Sequence, residues 1–329
     1  MPLINHCNGG GGTPQLCGQV ENFEAKPGNL SAILSWTAPS PDEDNSFVGA
    51  RIVRKTGSAP TGINDGTVVY EGTALTYTDT GLTAGTTYYY RAFAYNAKKK
   101  YQTAYRVINK TAMAIQPNFA DNTWDTIIEV CHLDSVPDTW VAGDSKTMTI
   151  DGVNYQFDIV GKNHDTYTAG GIAPLTFGLH DCYGTDYPIN LIDTNDGGWN
   201  DSVLRTETIP AILEKMPENI RNGIRPVNKR TATSGSNSKI KTASDKLFIF
   251  SEMEVNGSAE YSFSGEGKQY DYYKAGNSKV KKVGGTASLW WLRSPNSGSS
   301  RSFCTVYTDG SIFYNSATDS YGVCFGFCF

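Results

Sequence analysis

Seven cysteines and four histidines are the residues of this chain best suited to hold a metal or attack a substrate, and their spacing constrains both chemistries. The cysteines stand at 7, 17, 131, 182, 304, 324 and 328, an odd number with no Cys-x-x-Cys pair. Cys324 and Cys328 have the wrong neighbours for a structural zinc site, so reduced, mostly buried thiols are expected. If both lay on one strand they would be roughly 13 Å apart at about 3.3 Å per residue, too far to share an ion. His164-Asp165 and His180-Asp181-Cys182 are the best metal candidates, because imidazole and thiolate could converge across a hairpin. Scattered His and Cys more often pack in cores, so neither a metal nor a cofactor is expected, with His164, His180 and Cys182 kept as weak candidates. No Ser-His-Asp order, nucleotide loop or paired-acid constellation is recognisable, and no enzyme is expected.

The end of the chain offers a different chemistry. From Asn296 to Phe329 nearly every residue is Ser, Thr, Asn, Asp, Gly, Tyr, Phe or Cys, and the only charges are Arg301, Asp309 and Asp319. Tyr and Phe mixed with Ser, Gly and Asn is the composition of binding loops, in which rigid aromatics give contact area and small polar residues adapt their hydrogen bonds. Phe303, Tyr307, Phe313, Tyr314 and Tyr321 crowd this stretch, and one sheet face cannot bury them all. They are the expected aromatic contacts, with Arg301, Asn315 and Asp319 as polar ones. Cys304 and Cys324 have no evident packing reason in such loops. Just upstream, Trp290 and Trp291 would point to opposite sides of a strand, and with Arg293 they are expected to be scaffold.

Composition narrows the rest. A chain of 329 residues is long enough for two domains, each with its own core. With 34 Gly, 19 Tyr and only 5 Met, short strands and turns are favoured over a helical bundle. The net charge of −5 leaves no cationic surplus for phosphates, and Lys98-Lys99-Lys100 reads as a hairpin cap, so nucleic acid is an unexpected partner. No run of 18 apolar residues exists, so no membrane insertion is expected. Met1 to Cys7 lacks a basic region and an apolar region, so no signal peptide is expected.

The elements that would position these residues begin after a flexible glycine-rich lead, 1–17. Leu30, Ile33 and Trp36 fall in one strand-like segment that ends at Thr37-Ala-Pro-Ser-Pro. Val48 to Arg54 and Thr67 to Tyr70 read as further strands. In a later one, Tyr88, Tyr90, Ala92 and Ala94 alternate to one face while Tyr89, Arg91, Phe93 and Tyr95 take the other. Trp36 and the corner Leu82-x-x-Gly85-Thr86-x-Tyr88 resemble the landmarks of a fibronectin type III domain. The resemblance spans 18–112 and implies an all-β sandwich serving as a rigid spacer, with the corner tyrosine tied to upstream backbone.

A linker, 113–121, leads to a second domain over 122–329. Trp124, Ile127, Ile128 and Cys131 have helical spacing, with Asp121 or Asn122 available as N-cap. Thr147 to Val160 reads as a hairpin turning at Asp151-Gly152. Trp199 to Ile224 holds helical turns, with Pro210 in a first turn, Pro217 at a second start, and Leu204, Ile209, Ile212, Leu213 and Met216 facing the core. Leu247 to Val255 reads as a buried strand. Helices early and strands late give an α+β domain, an order that agrees with a C-type-lectin-like fold. Trp199-Asn200-Asp201 superficially resembles the calcium strand of sugar-binding C-type lectins, but it precedes a helix, where Asn200 or Asp201 works as an N-cap. The lectin-like formylglycine-generating oxidases use a cysteine pair, but Cys324 and Cys328 are too widely spaced to supply one.

The second domain resembles an uncharacterised family of gut Firmicutes phages and prophages. The likeness rests on Trp290-Trp-Leu-Arg-Ser-Pro295 and on Gly322, Val323, Phe325, Gly326, Phe327 and Cys328. Pro226-Val-Asn-Lys229, Ser244-Asp-Lys-Leu-Phe248, Glu252, Glu254, Gly265-Glu-Gly267 and Tyr270 also match. Some members resemble variable proteins of diversity-generating retroelements, in which adenine-directed mutagenesis rewrites codons of a C-terminal repeat, here 290–329. An AAC codon mutated at its adenines encodes the residue types that crowd 296–324. The resemblance implies a lectin-like scaffold showing a diversified binding face to a host cell-surface protein or glycan, on a virion tail or another host-exposed surface. Other tail proteins, and self-association as a homotrimer, are the implied partners. A bacterial cell-surface carbohydrate-binding module, or a tail or baseplate component without a ligand, is the alternative.

Overall fold

The computed structural model describes residues 18–28, 30–39, 46–103 and 109–329, with backbone alone for 109–113. The lead 1–17, with Cys7 and Cys17, lies outside the described residues. Two compact units divide the chain, Met1–Pro117 and Asn118–Phe329.

The first unit is a pair of antiparallel sheets. Its strands are β1 (Glu21–Gly28), β2 (Ser31–Thr37), β3 (Phe47–Thr56), β4 (Thr67–Gly72), β5 (Thr76–Thr80), β6 (Thr87–Asn96) and β7 (Asn109–Met113). One sheet runs β1-β2-β5 and the other β4-β3-β6-β7. Period-two alternation puts Ala32, Leu34 and Trp36 of β2 into the core and leaves Ile33 in solvent. On β6, Tyr88, Tyr90, Ala92 and Ala94 face the same core. The opposite face of β6 is covered too, because Arg91 donates to the carbonyls of Pro60, Thr61 and Thr103. At the corner, the Tyr88 hydroxyl accepts the Thr83 N–H at 3.0 Å. This is the sandwich and the corner that the fibronectin type III resemblance implies. Lys98 to Lys100 form a turn: Lys99 takes a φ of 57°, and the Asn96 side chain accepts the N–H groups of Lys98 and Lys100. The Lys99 ammonium is paired to Glu71 at 2.6 Å.

The second unit mixes helices and strands. After a short 3₁₀ turn, Phe119–Asp121, come α1 (Trp124–His132), β8 (Ser145–Ile150), β9 (Val153–Lys162), β10 (Leu175–Leu179) and β11 (Tyr183–Tyr187). Three short helices follow: α2 (Gly198–Asp201), α3 (Ile209–Lys215) and α4 (Glu218–Gly223). Next are β12 (Val227–Ser234), β13 (Asn237–Asp245), β14 (Phe248–Ile249), α5 (Glu252–Asn256) and α6 (Asp271–Lys274). The chain ends in β15 (Lys281–Val283), β16 (Thr286–Ser288), β17 (Trp290–Pro295), β18 (Ser302–Val306), β19 (Ile312–Ser316), β20 (Tyr321–Val323) and β21 (Phe325–Cys328). Strands β8 to β11 precede α2, and α5 and α6 interrupt the later strands. The helices-first order is therefore only partly kept.

Two five-stranded sheets carry this unit, β14-β21-β10-β9-β8 and β11-β20-β17-β18-β19. The chain passes from the second to the first at Cys324, between β20 and β21. Phe327 of β21 packs on Phe157 and Phe177 with ring centroids 5.3 Å from each, and Phe329 adds to the same cluster. Burying several such rings supplies much of the driving force for this core.

Several sequence expectations need correction. Phe119, assigned to the linker, is 1 % exposed and packs on Trp140 and Phe177, so the second core starts before residue 122. The N-cap of α1 is Thr123, whose side chain accepts the Thr126 N–H, and not Asp121 or Asn122. The hairpin at Asp151-Gly152 forms, both residues adopting positive φ (51° and 79°) as a tight two-residue turn requires. Leu247 to Val255 is not one strand. After β14 a capping box of Ser251 and Glu254 starts α5. Neither Asn200 nor Asp201 is an N-cap: both lie within α2, which starts after Gly197 at φ 82°. Leu213 is only half-buried.

Candidate functional site

The matching motifs converge on one buried ionic cluster. Lys229 on β12 places its ammonium 2.7 Å from Asp165 and 2.9 Å from Glu254, and donates to the Tyr270 hydroxyl at 2.8 Å. Tyr270 and Thr176 in turn each donate to Asp165 at 2.7 Å. Arg293 on β17 pairs with Glu254 and donates to the carbonyls of Ile249 and Glu266, both at 2.8 Å. Glu266 accepts the Ala232 N–H at 2.7 Å and the Ser294 hydroxyl. Burial pushes the Asp165 carboxyl up, but the Lys229 ammonium and the hydrogen bonds from Lys229, Thr176 and Tyr270 outweigh it and hold its pKa at about 2. At Glu266 burial wins, and its pKa lies above the ordinary carboxylate value. The two tryptophans hold the periphery: Trp290 Nε1 donates to the Lys279 carbonyl at 3.0 Å and Trp291 Nε1 to that of Tyr187 at 2.7 Å. All of these are scaffold contacts.

On this scaffold β19 forms the edge of its sheet, paired with β18 alone, Thr305 opposite Phe313 and Cys304 opposite Tyr314. An aromatic cluster lies along that edge. The Phe313 and Tyr314 rings stack at 4.5 Å with 13° between their planes, and Phe313 stays 41 % exposed. Tyr261 meets Phe313 edge-on at 5.4 Å and Tyr314 at 5.7 Å, and Tyr307 meets Phe313 at 5.8 Å. Asn315 donates to Thr305 Oγ1 at 2.8 Å, which fixes the amide beside the rings. Preset rings with part of their area in solvent give contact surface at low entropic cost.

The neighbouring loop extends this surface. Asn190 N–H donates to the Ala317 carbonyl at 2.9 Å, and Ser316 donates to Asp193 at 2.6 Å. The two residues between these anchors, Leu191 and Ile192, are 71 % and 70 % exposed. Two large aliphatic side chains are thus presented to water beside the edge. Arg301, also exposed, reaches to 3.7 Å from Asp193.

Of the residues singled out in the sequence, Tyr307, Phe313, Tyr314 and Asn315 gather at this edge. The Asp319 N–H donates to the Ser316 carbonyl at the end of β19 at 3.0 Å, and Tyr321 packs on Trp291 at 5.1 Å. Burial and the nearby Asp319 carboxylate raise the Tyr321 phenol to about 12. Phe303 must be withdrawn: it is fully buried, because β18 lies between β17 and β19 and its phenyl ring packs inward. Cys304 and Cys324 also have a packing role, both being fully buried. Tyr261, Leu191 and Ile192 went unnoticed in the sequence, since they join the face only through tertiary contacts.

His164 borders one cavity, and His180 and Cys182 border another. His164 stacks on Tyr270 at 3.9 Å, His180 Nδ1 lies 2.7 Å from Asp158, and Cys182 lies 3.4 Å from Cys324. Among the described residues no group of three or more His, Cys, Asp or Glu is placed to share an ion. His180 instead borders an open cavity of about 580 Å³ with Tyr155, Gln156, Asp181, Cys182 and Lys282. The hydrogen bond to Asp158 raises the imidazole pKa against the opposing effect of burial.

Residues 181–328 match the model of a domain of unknown function (DUF6273), a span that includes all of the edge face. Among solved structures the chain is similar to an Fn3-like protein from Clostridium thermocellum, with 21 % identity over 30 % of this chain and 95 % of that one, at a TM-score of 0.23. It is also similar to the fibronectin type III domain of human fibronectin type III domain containing protein 3, with 20 % identity over 36 % of this chain and all of that one, TM-score 0.23. A comparison with curated proteins finds no match.

Proposed function

We propose that this chain is a non-enzymatic binding protein whose second unit recognises a host cell-surface protein or glycan through the β19 edge. The observation that carries the reading is the half-exposed cluster of Tyr261, Tyr307, Phe313 and Tyr314, held on a sheet whose own core is locked by buried ion pairs. Rigid aromatics with a fixed amide, Asn315, beside them and aliphatic Leu191 and Ile192 close by suit a broad, mixed surface.

In this reading the second unit is a C-type-lectin-like head, the fibronectin type III-like unit is its spacer, and the protein acts on a phage tail or another host-exposed surface. The diversified repeat of retroelement variable proteins has a specific form here. Exposed positions such as Ser297, Ser300, Arg301, Phe313 and Thr318 would vary, while the buried run Phe303 to Val306 would not. The test is binding of the full chain to arrays of host surface proteins and glycans, beside a double variant, Phe313→Ala with Tyr314→Ala. Loss of the signal in the double variant supports the reading. Equal binding by both proteins, or no binding to any host component, removes it.

A further inference from the structure

We infer that Cys182 and Cys324 form an oxidisable pair whose disulfide staples the junction between the two sheets of the second unit. Strand β11 runs antiparallel to β20 with Tyr183 opposite Val323, so one residue outward in each direction Cys182 faces Cys324 across the ladder. Opposed residues in such a ladder have Cα atoms about 4.5–5.5 Å apart, within the range a disulfide spans. The sulfurs already lie 3.4 Å apart, in contact, and both side chains are buried. Neighbouring residues leave room for the pair: a Cβ on Gly322 would lie 2.5 Å from the Cys182 sulfur.

The two thiols also differ in access. Cys182 borders the cavity beside His180, while Cys324 is fully buried at the single residue between β20 and β21. A small disulfide such as oxidised glutathione can therefore reach Cys182 first. The Cys182 thiolate attacks one glutathione sulfur, forms a mixed disulfide and releases one glutathione thiolate. Cys324 then attacks the Cys182 sulfur, its proton passing to the displaced glutathione sulfur, and the second glutathione leaves as a thiol. Two protein thiols are oxidised, one low-molecular-weight disulfide is reduced, and the cysteines end joined. The bond would close a loop through most of the second unit, a large constraint on its unfolded chain.

The test uses the reduced full chain, oxidised glutathione and peptide mapping after alkylation in denaturant. The expected product is a Cys182–Cys324 linked peptide, with Cys131, Cys304 and Cys328 still alkylated and a thermal midpoint raised by about 5 °C or more, reversed by dithiothreitol. In Cys324→Ser the reaction should stop at the glutathione adduct of Cys182, without that rise. Alkylation of both cysteines in an oxidant-treated protein that remains folded by circular dichroism would overturn the inference. So would a lasting glutathione adduct on wild-type Cys182, linkage of Cys182 to any other cysteine, or the same thermal gain in Cys324→Ser.

Discussion

The guanidinium of Arg293 meets the carboxylate of Glu254 with both groups buried, Nη2 donating to Oε1 at 2.7 Å. Glu254 is also a partner of Lys229, whose other partner is Asp165, so two buried carboxylates share two buried cations from different strands. Removing one member strands another charge in a medium that solvates it poorly. Arg293→Ala is therefore expected to lower unfolding stability by about 3–5 kcal/mol. Urea titration followed by tryptophan fluorescence checks this, and a loss under about 1 kcal/mol would show that the pair is dispensable.

The same cluster predicts how the fold responds to acid. The Asp165 carboxyl sits at about 2 when folded, below its free value of 3.8, so its contribution is fully present above that free value and is lost as pH falls through the folded one. Thermal midpoints measured between pH 5 and pH 2 should fall steeply towards the acid end. In Asp165→Asn the fall should be shallower from a lower starting point, because the titrating group is gone and Lys229 has lost a partner. Parallel curves for the two proteins would contradict this.

The cluster also shows which parts of the fold were legible in the sequence. Alternation placed Tyr88, Tyr90, Ala92 and Ala94 on one face, and Asp151-Gly152 marked its turn, because both signals are local. The motif residues Lys229, Glu254, Glu266, Tyr270 and Arg293 stood out in the sequence. That they meet in one buried network depends on contacts between positions far apart in the chain. Phe303 was misplaced because composition alone does not tell an interior strand from an edge strand. Leu247 to Val255 was misread because its apolar run hid Ser251-x-x-Glu254, a capping signature that was there to be read. Tyr261 had no local signal: it sits on a loop far from the segment it completes.

At the cavity, His180 gives the opposite pH response. Its folded pKa is raised above 6.5, chiefly by the hydrogen bond to Asp158, with Asp181 adding to the rise while burial and Lys281 oppose it. The resulting stability is fully present below the unfolded value and is lost as pH climbs through the folded one. The imidazole is nearly half exposed, so solvent screens the pair and the change in stability should be small. An NMR titration of the imidazole should read above 6.5 in the wild type and move down in Asp158→Asn. An unchanged value in the variant would mean that the carboxylate does not set it.

Two phenylalanines ten residues apart separate packing from recognition. Phe303 is fully buried, so Phe303→Ala leaves a cavity and is expected to cost about 3–5 kcal/mol of stability. Phe313 lies on the sheet edge with 41 % of its surface in solvent, and truncating it should cost under about 1 kcal/mol. If the edge is the contact surface, the functional losses reverse. Phe313→Ala, which removes the ring that Tyr261, Tyr307 and Tyr314 all pack against, should weaken attachment to host cells at least tenfold, about 1.4 kcal/mol. Phe303→Ala, assayed well below its lowered melting temperature, should bind within a factor of about three of wild type, under about 1 kcal/mol. Thermal melts and cell-binding titrations on the same protein batches give both readouts. The opposite pattern, with Phe313→Ala binding normally and folded Phe303→Ala failing to bind, would move recognition away from the β19 edge.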